Sequence, residues 1–254
     1  MNKPLILVCN DDGITAPGIR ALIEVAEQFG EVIVVAPDKP QSAMGHAITI
    51  NATLRVHESI AENGRREYAC SGTPVDCVKL AVNKLLNGRK PDLLVSGVNH
   101  GSNASINVIY SGTMSAAVEG ALEGIPSIGF SLLNFSIDAD FSGSKIYAAK
   151  LIEQALQKPM PEGVCLNVNF PNVEPELIKG IKICRQAKAN WDEQFDERKD
   201  PSGRTYYWLT GNFRNFDTGT DTDIWALENN FVSVVPVQFD FTAHKSLDYF
   251  NSWV

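Results

Sequence analysis

Leu5-Ile6-Leu7-Val8-Cys9-Asn10-Asp11-Asp12-Gly13 is the stretch on which the fold turns. Five apolar residues in a row, without polar alternation, suit a strand covered on both faces. The run stops at three polar side chains and a glycine, the composition of a strand end that turns sharply. Downstream, Pro17 stands where a first helical turn would begin. Ile19, Leu22, Ile23, Ala26 and Phe29 then recur at helical spacing, and Gly30 is a favoured residue just past a helix end. Val32–Ala36 repeats the buried-strand signature. Strand, helix and strand in this order form the unit from which parallel sheets are built.

The same alternation continues outward. Residues 47–57 alternate, with Ile48, Ile50, Ala52, Leu54 and Val56 on one face, which predicts a half-exposed strand. Thr73-Pro74 opens a helix carrying Val75, Val78, Val82 and Leu85, closed by Gly88. Strands follow at Asp92–Val95, Ser127–Ser131 and Leu166–Phe170, with helices near 113–123 and 144–156 between them. The expected fold is α/β: a Rossmann-like three-layer α/β/α arrangement on a mostly parallel sheet. The pattern changes near residue 175. Residues 179–187, 205–210 and Val232–Val237 read as strands, 222–228 as a short helix, and Asp192–Asp200, which carries both signs of charge, as a solvated loop or arm. The expected organisation is therefore a catalytic core over residues 1–175. A strand-rich extension, with a β-hairpin, follows over 176–254.

Composition narrows the function. The chain has 254 residues, average glycine and proline usage and 44% hydrophobic residues, which excludes a disordered tail or a disulfide miniprotein. A net charge of −8 argues against a grip on nucleic acid backbone, so no nucleic acid polymer is expected as partner. The longest apolar runs fall far short of the ~20 residues that span a bilayer. The start, Met1-Asn2-Lys3-Pro4, leads into no signal-peptide cleavage pattern, so no membrane association and a cytoplasmic location are expected. Cys9, Cys70, Cys77, Cys165 and Cys184 are odd in number and form no C-x-x-C pair, the usage of buried core thiols in a reducing compartment. The four histidines show no H-x-x-x-H spacing, which argues against zinc.

Chemistry gathers where the strands end. Asn10-Asp11-Asp12-Gly13 places two carboxylates side by side, a costly arrangement that a divalent cation relieves. By itself the tetrapeptide reads equally well as an Asx-rich turn. Two more strands end in polar, glycine-bearing loops: Pro37 to His46, which carries Ser42, and Ser96 to Asn103, which carries Asn99. In open α/β sheets, ligands bind outside the carboxyl ends of the strands. Two carboxylates, a hydroxyl and an amide oxygen make an all-oxygen donor set, suited to Mg²⁺, Mn²⁺ or Ca²⁺. Tyr110-Ser111-Gly112-Thr113, ahead of a helix, offers unpaired N–H groups and hydroxyls to an anion such as phosphate, or is an ordinary N-cap. The first strand is followed by no G-x-G-x-x-G and the chain holds no Walker A lysine loop. A metal beside a phosphate site points to phosphoryl chemistry with direct attack by metal-activated water.

These motifs in this order resemble the SurE family, the survival protein E nucleotidases. The resemblance rests on Asn10-Asp11-Asp12-Gly13, Gln41-Ser42 with Gly45-His46, Ser71-Gly72-Thr73-Pro74, Ser96-Gly97-Val98-Asn99 with Gly101 and Asn103, and Tyr110-Ser111-Gly112-Thr113. It extends through Asp200-Pro201, Tyr206-Tyr207-Trp208 and Thr220-Asp221-Thr222-Asp223 to Pro236, nearly the whole chain. It implies a phosphoric monoester hydrolase that releases phosphate from nucleoside 5′- or 3′-monophosphates and, in some relatives, from short polyphosphate. It further implies one divalent ion per subunit, Mg²⁺ or Mn²⁺, held by Asp11, Asp12, Ser42 and Asn99. Asn103, Ser111, Gly112 and Thr113, together with Asn99, are then expected at the phosphate. Asp11 and Asp12 carry the catalysis; no general base is assigned beyond the metal-bound water, Asp11 being a weak candidate. Ala43 and His100 fall at positions taken as variable, and His100 reads as a solvated loop residue, with contact to substrate as the alternative. The resemblance also implies a homodimer or homotetramer built through the extension, where Tyr206, Tyr207, Trp208, Phe213, Phe216 and Trp225 supply aromatic surface or pack on the chain's own core. A metal and nucleotide sensor without turnover is the alternative from another class. A dinucleotide oxidoreductase is weakened by the missing glycine fingerprint.

Overall fold

The structure, a computed structural model, describes residues 3–254. Met1 and Asn2, where the leader reading begins, lie outside the described residues. Nine strands form one sheet. In chain order they are β1 (Leu5–Cys9), β2 (Glu31–Pro37), β3 (Val56–Ile60), β4 (Arg66–Cys70), β5 (Leu93–His100), β6 (Ser127–Leu132), β7 (Val164–Phe170), β8 (Ile181–Ile183) and, after an outlying ribbon, β11 (Val232–Gln238). Their order across the sheet is β3-β4-β2-β1-β5-β6-β7-β11-β8. Strands β4, β2, β1, β5, β6 and β7 run parallel, while β3 and β11 are antiparallel to their neighbours β4 and β7. The α/β expectation holds.

Strand β1 shows why the sheet needs cover on both sides. Ile6 and Val8 enter one apolar core with helices α1 (Pro17–Ala26) and α4 (Ser142–Gln157). Leu5, Leu7 and Cys9 enter the opposite core. There α2 (Pro74–Leu80) and α3 (Gly112–Leu122) pack, α2 contributing Cys77 and Val78 and α3 Ala116. Alternate residues of a strand point to opposite faces, so an unbroken apolar run fills both layers. Phe130 of β6 and Phe170 of β7 stack at 5.8 Å within the first core. All five cysteines are free and buried. Helix α2 is entered through a capping box: Thr73 Oγ1 accepts from the Asp76 N–H and Asp76 accepts from the Thr73 N–H. It continues as a wider π-helical turn at Ala81–Leu85.

Two expectations are corrected, and one strand lies outside the sequence reading. Residues 47–55 form no strand, and Ile48 and Ile50 are exposed. Side chains at the head of α2 take their polar groups instead. Asp76 accepts from the Thr49 N–H at 3.0 Å and from its hydroxyl at 2.6 Å, and Thr73 Oγ1 donates to Ala47 O at 2.7 Å. Strand β4 lacks the alternation that would have announced it, because it is laid down by parallel pairing with β2. Asp192–Asp200 is no loop. It lies almost wholly within β9 (Ala189–Lys199), which pairs antiparallel with β10 (Thr205–Asn215) to make a separate two-stranded ribbon. A ribbon with solvent on both sides needs no apolar period, so charges sit on it without contradiction. Helix α5 (Asp223–Glu228) then leads into β11, which returns to the main sheet.

Candidate active site

The strand order reverses between β2 and β5 on either side of β1. At such a switch point the loops leaving the strands diverge to opposite faces and open a crevice. The Asp11-Asp12 loop leaves β1 there and the Asn99 segment ends β5. Gly13 adopts φ +99°, a left-handed turn that a side chain would strain. The turn brings the next loop close: Gln41 N–H donates to Asp11 O at 2.8 Å and Ile14 N–H to Pro37 O at 2.8 Å. Ser42 is thereby carried to Asp11. Gly45 N–H reaches Tyr110 O at 3.2 Å, which joins the same loop to the lead-in of α3. Asp11, Ser42, Asn99, Asn103 and Ser111 line one cleft of about 690 Å³.

Asp11 is buried and its carboxyl is pushed up to about 6, chiefly by burial, with the Thr113 hydroxyl pulling it back and the Asp12 charge adding to the rise. Burial also raises Asp12, against the His100 N–H that donates to its Oδ2 at 3.1 Å. Two adjacent carboxyls that both resist ionisation are what a cation would relieve. Asn99 Nδ2 donates to Gly101 O at 2.9 Å, so Oδ1 is the amide atom left to accept. Among the described residues no cluster of three or more His, Cys, Asp or Glu side chains has metal-binding geometry. Two carboxyls with a neutral hydroxyl and an amide make an oxygen set of the kind that fits a hard divalent ion.

The helix start meets the carboxylates directly. Thr113 Oγ1 donates to Asp11 Oδ1. A Cβ on Gly112 would lie 2.6 Å from Asp11 Cβ and 2.8 Å from its Oδ2, so only glycine lets α3 approach this closely. Ser111 caps the helix, accepting from the Met114 N–H at 3.0 Å. Asn103 is buried in the cleft wall, with Nδ2 donating to Ser131 Oγ at 2.8 Å, its N–H donating to Asn169 Oδ1 and its carbonyl accepting from Asn167 Nδ2. His100 is part of β5 and not a solvated loop residue: Nδ1 lies 2.8 Å from Ser136 O and its ring meets Phe141 edge-on at 5.2 Å.

Some residues that shape the site escaped the sequence reading. Glu119, fully buried on α3, receives His46 Nε2 at 2.9 Å and Lys79 Nζ at 2.5 Å. Burial pulls its carboxyl up, but the hydrogen bonds from His46 and Lys79 outweigh burial and hold it below the usual range. This staple ties the Ser42 loop to α3. An acid inside an alanine-rich helix was the available signal. Asn167 and Asn169, alternating within an apolar strand, were another. The outer wall of the cleft comes from Phe135 and from the ribbon, through Trp191, Glu193, Leu209, Thr210 and Gly211. A second cleft, of about 550 Å³, is lined by Arg65, Arg89, Glu27 and Glu31, which pair with one another.

Comparison with known proteins agrees with this geometry. The family model described as Survival protein SurE matches residues 6–193. A protein of Flavobacterium psychrophilum named 5′-nucleotidase SurE is 65% identical over 254 residues, covering 100% of this chain and 98% of its own. One of Cytophaga hutchinsonii with the same name is 60% identical over 251 residues, covering 99% and 97%. The crystal structure of the SurE protein from Aquifex aeolicus superposes with a TM-score of 0.85 at 37% identity, covering 98% of this chain and 99% of the other. The oxygen-lined crevice therefore sits in a fold that its relatives share over their whole length, and the chain belongs to the survival protein SurE family.

Proposed function

We propose that this chain is a 5′-nucleotidase that hydrolyses nucleoside monophosphates to nucleoside and phosphate with a divalent ion, Mg²⁺ or Mn²⁺, in the cleft. The name borne by its full-length relatives supports the activity. The observation that carries the metal reading is the pair Asp11–Asp12, both raised by burial, with Asp11 sharing one cleft wall with Ser42 and Asn99 and Asp12 behind it on the His100 N–H. A bound ion would supply charge neutralisation on the phosphoryl group and a more acidic water. The chain's own residues do the rest. Asp11 and Asp12 hold the ion, Thr113 orients Asp11, and the His100 N–H orients Asp12. Ser111, Asn103 and the first-turn amides at Gly112 and Thr113 receive phosphate oxygens at the positive end of α3. Residues 3–175 contribute these groups, while the extension beyond supplies the cleft's outer wall and an assembly surface for a homodimer or homotetramer. Tyr207, Trp208 and Phe216 are more than half exposed there, whereas Phe213 packs on Trp191 and Trp225 on Phe231.

The test is phosphate release from a panel of nucleoside 5′- and 3′-monophosphates by chelator-stripped protein, with and without Mg²⁺ or Mn²⁺. Release that needs added metal is expected, strongest on 5′ esters. Tight nucleotide binding without release under any metal would turn the reading into that of a sensor.

A further inference from the structure

We infer that Trp191 and Phe135 form the nucleobase subsite and select a nucleoside monophosphate over an aliphatic phosphate ester by stacking; this rests on the nucleotidase reading. The cleft that holds Asp11, Ser42 and Asn99 continues outward to these two rings. Its volume of about 690 Å³ lies in the range of sites that enclose a ligand of nucleotide size.

Both rings are held for a ligand that is not part of the chain. Phe135 is 83% exposed, so it contributes little to the core. Its ring lies over the backbone of Gly101, where a Cβ would meet ring carbons at 2.3–2.9 Å. The loop beneath it is anchored: Ser136 O lies 2.8 Å from His100 Nδ1 and the Ser136 N–H donates to Asn134 Oδ1 at 2.9 Å. Trp191 is fixed twice. Its Nε1–H donates to Asn107 Oδ1 at 2.8 Å, and Phe213 packs edge-on at 5.5 Å and 67°. With its one N–H spent on Asn107, the indole has only its π-face and edge to offer. Every base has a π-face, so such a wall accepts purines and pyrimidines alike, and a base stacked on one ring gains about tenfold or more in binding.

The experiment uses the metal-loaded protein and two esters that differ only by the base, AMP and ribose 5-phosphate. For the unaltered protein, kcat/KM favours AMP by at least about tenfold. Trp191→Ala and Phe135→Ala each cut that ratio several-fold, through KM for AMP more than through kcat, and Trp191→Phe restores most of it. Unchanged ratios in both variants, or equal losses on the two esters, overturn the subsite. Should Trp191→Ala shift the melting temperature, Phe135→Ala decides alone, since its side chain is exposed. Failure of the unaltered protein to release phosphate from either ester overturns the nucleotidase reading instead.

Discussion

The carboxyl rim of the sheet and the β9–β10 ribbon face each other across one cleft, yet they are built on opposite terms. Behind the rim, Ile6, Val8, Leu7, Val95 and Ile128 are almost wholly buried, and each active-site loop hangs from a strand that cannot move without disturbing two cores. The ribbon has no core of its own. Tyr207, Trp208, Leu209 and Phe195 are each more than half exposed, and β9 and β10 pair with each other alone. The carboxylates sit on the rigid side, and the aromatic outer wall of the cleft, with Trp191 held by Asn107 and Phe213, sits on the other. The difference teaches that a hydrogen-bonded ribbon can be well formed and still contribute little to the stability of the chain that carries it.

Substitutions separate these terms, beginning with the largest effect. Asp12→Asn is expected to leave the circular dichroism spectrum and melting temperature near those of the unaltered protein. Phosphate release should fall by on the order of 10³-fold, about 4 kcal/mol of transition-state stabilisation. Retained turnover would place the chemistry elsewhere.

Next comes the pH dependence of the rim. The folded carboxyl of Asp11 titrates at about 6 against 3.8 in a free chain, so the native state keeps a proton that the unfolded chain releases. Stability from this group therefore falls as pH rises between those values, by on the order of 3 kcal/mol. Added Mn²⁺ should raise the melting temperature of chelator-treated protein by several degrees more at pH 7 than at pH 5. A larger gain at pH 5 would contradict the site. Glu119 runs the other way: held below its usual range by His46 and Lys79, it stabilises at neutral pH, and that contribution is lost as pH falls through its lowered value.

The smallest effects test the comparison most sharply. Ile128→Val removes one methylene from the buried side of β6 and should cost about 1 kcal/mol in denaturant unfolding. At dilutions where the chain stands alone, Trp208→Ser removes a whole indole from the ribbon and should stay within about 0.5 kcal/mol. If the indole cost more than the methylene, and the more so at high protein concentration, the ribbon would be covered in a second copy and the contrast between the two regions would belong to the isolated chain only.

Much of this was legible from residues alone. Unbroken apolar runs at Leu5–Cys9 and Val32–Ala36 can be buried only on both faces, and that demand leads directly to a parallel sheet between helices. Asp11-Asp12 sets two like charges side by side at a strand end, a tension visible in the sequence itself. Cap and turn residues at Gly13, Thr73 and Ser111 act within a few positions of themselves, so their roles are written locally. What depended on distant partners was not legible. Residues 47–55 carry a strand's alternation, but Thr73 and Asp76 claim their hydrogen bonds. Asp192–Lys199 is polar except for Phe195, and only the partner strand Thr205–Asn215 makes it a strand. Glu119 is an unremarkable helix residue until His46, 73 positions away, meets it. The sequence by itself determined the layered sheet, the oxygen-rich loops at the strand ends and the family, because periodicity, short-range sterics and the order of motifs suffice for these. Only the tertiary structure decided that Gly112 rests against Asp11, that Glu119 staples the Ser42 loop, and that Trp191 closes the cleft, because each requires segments far apart in the chain to meet in space.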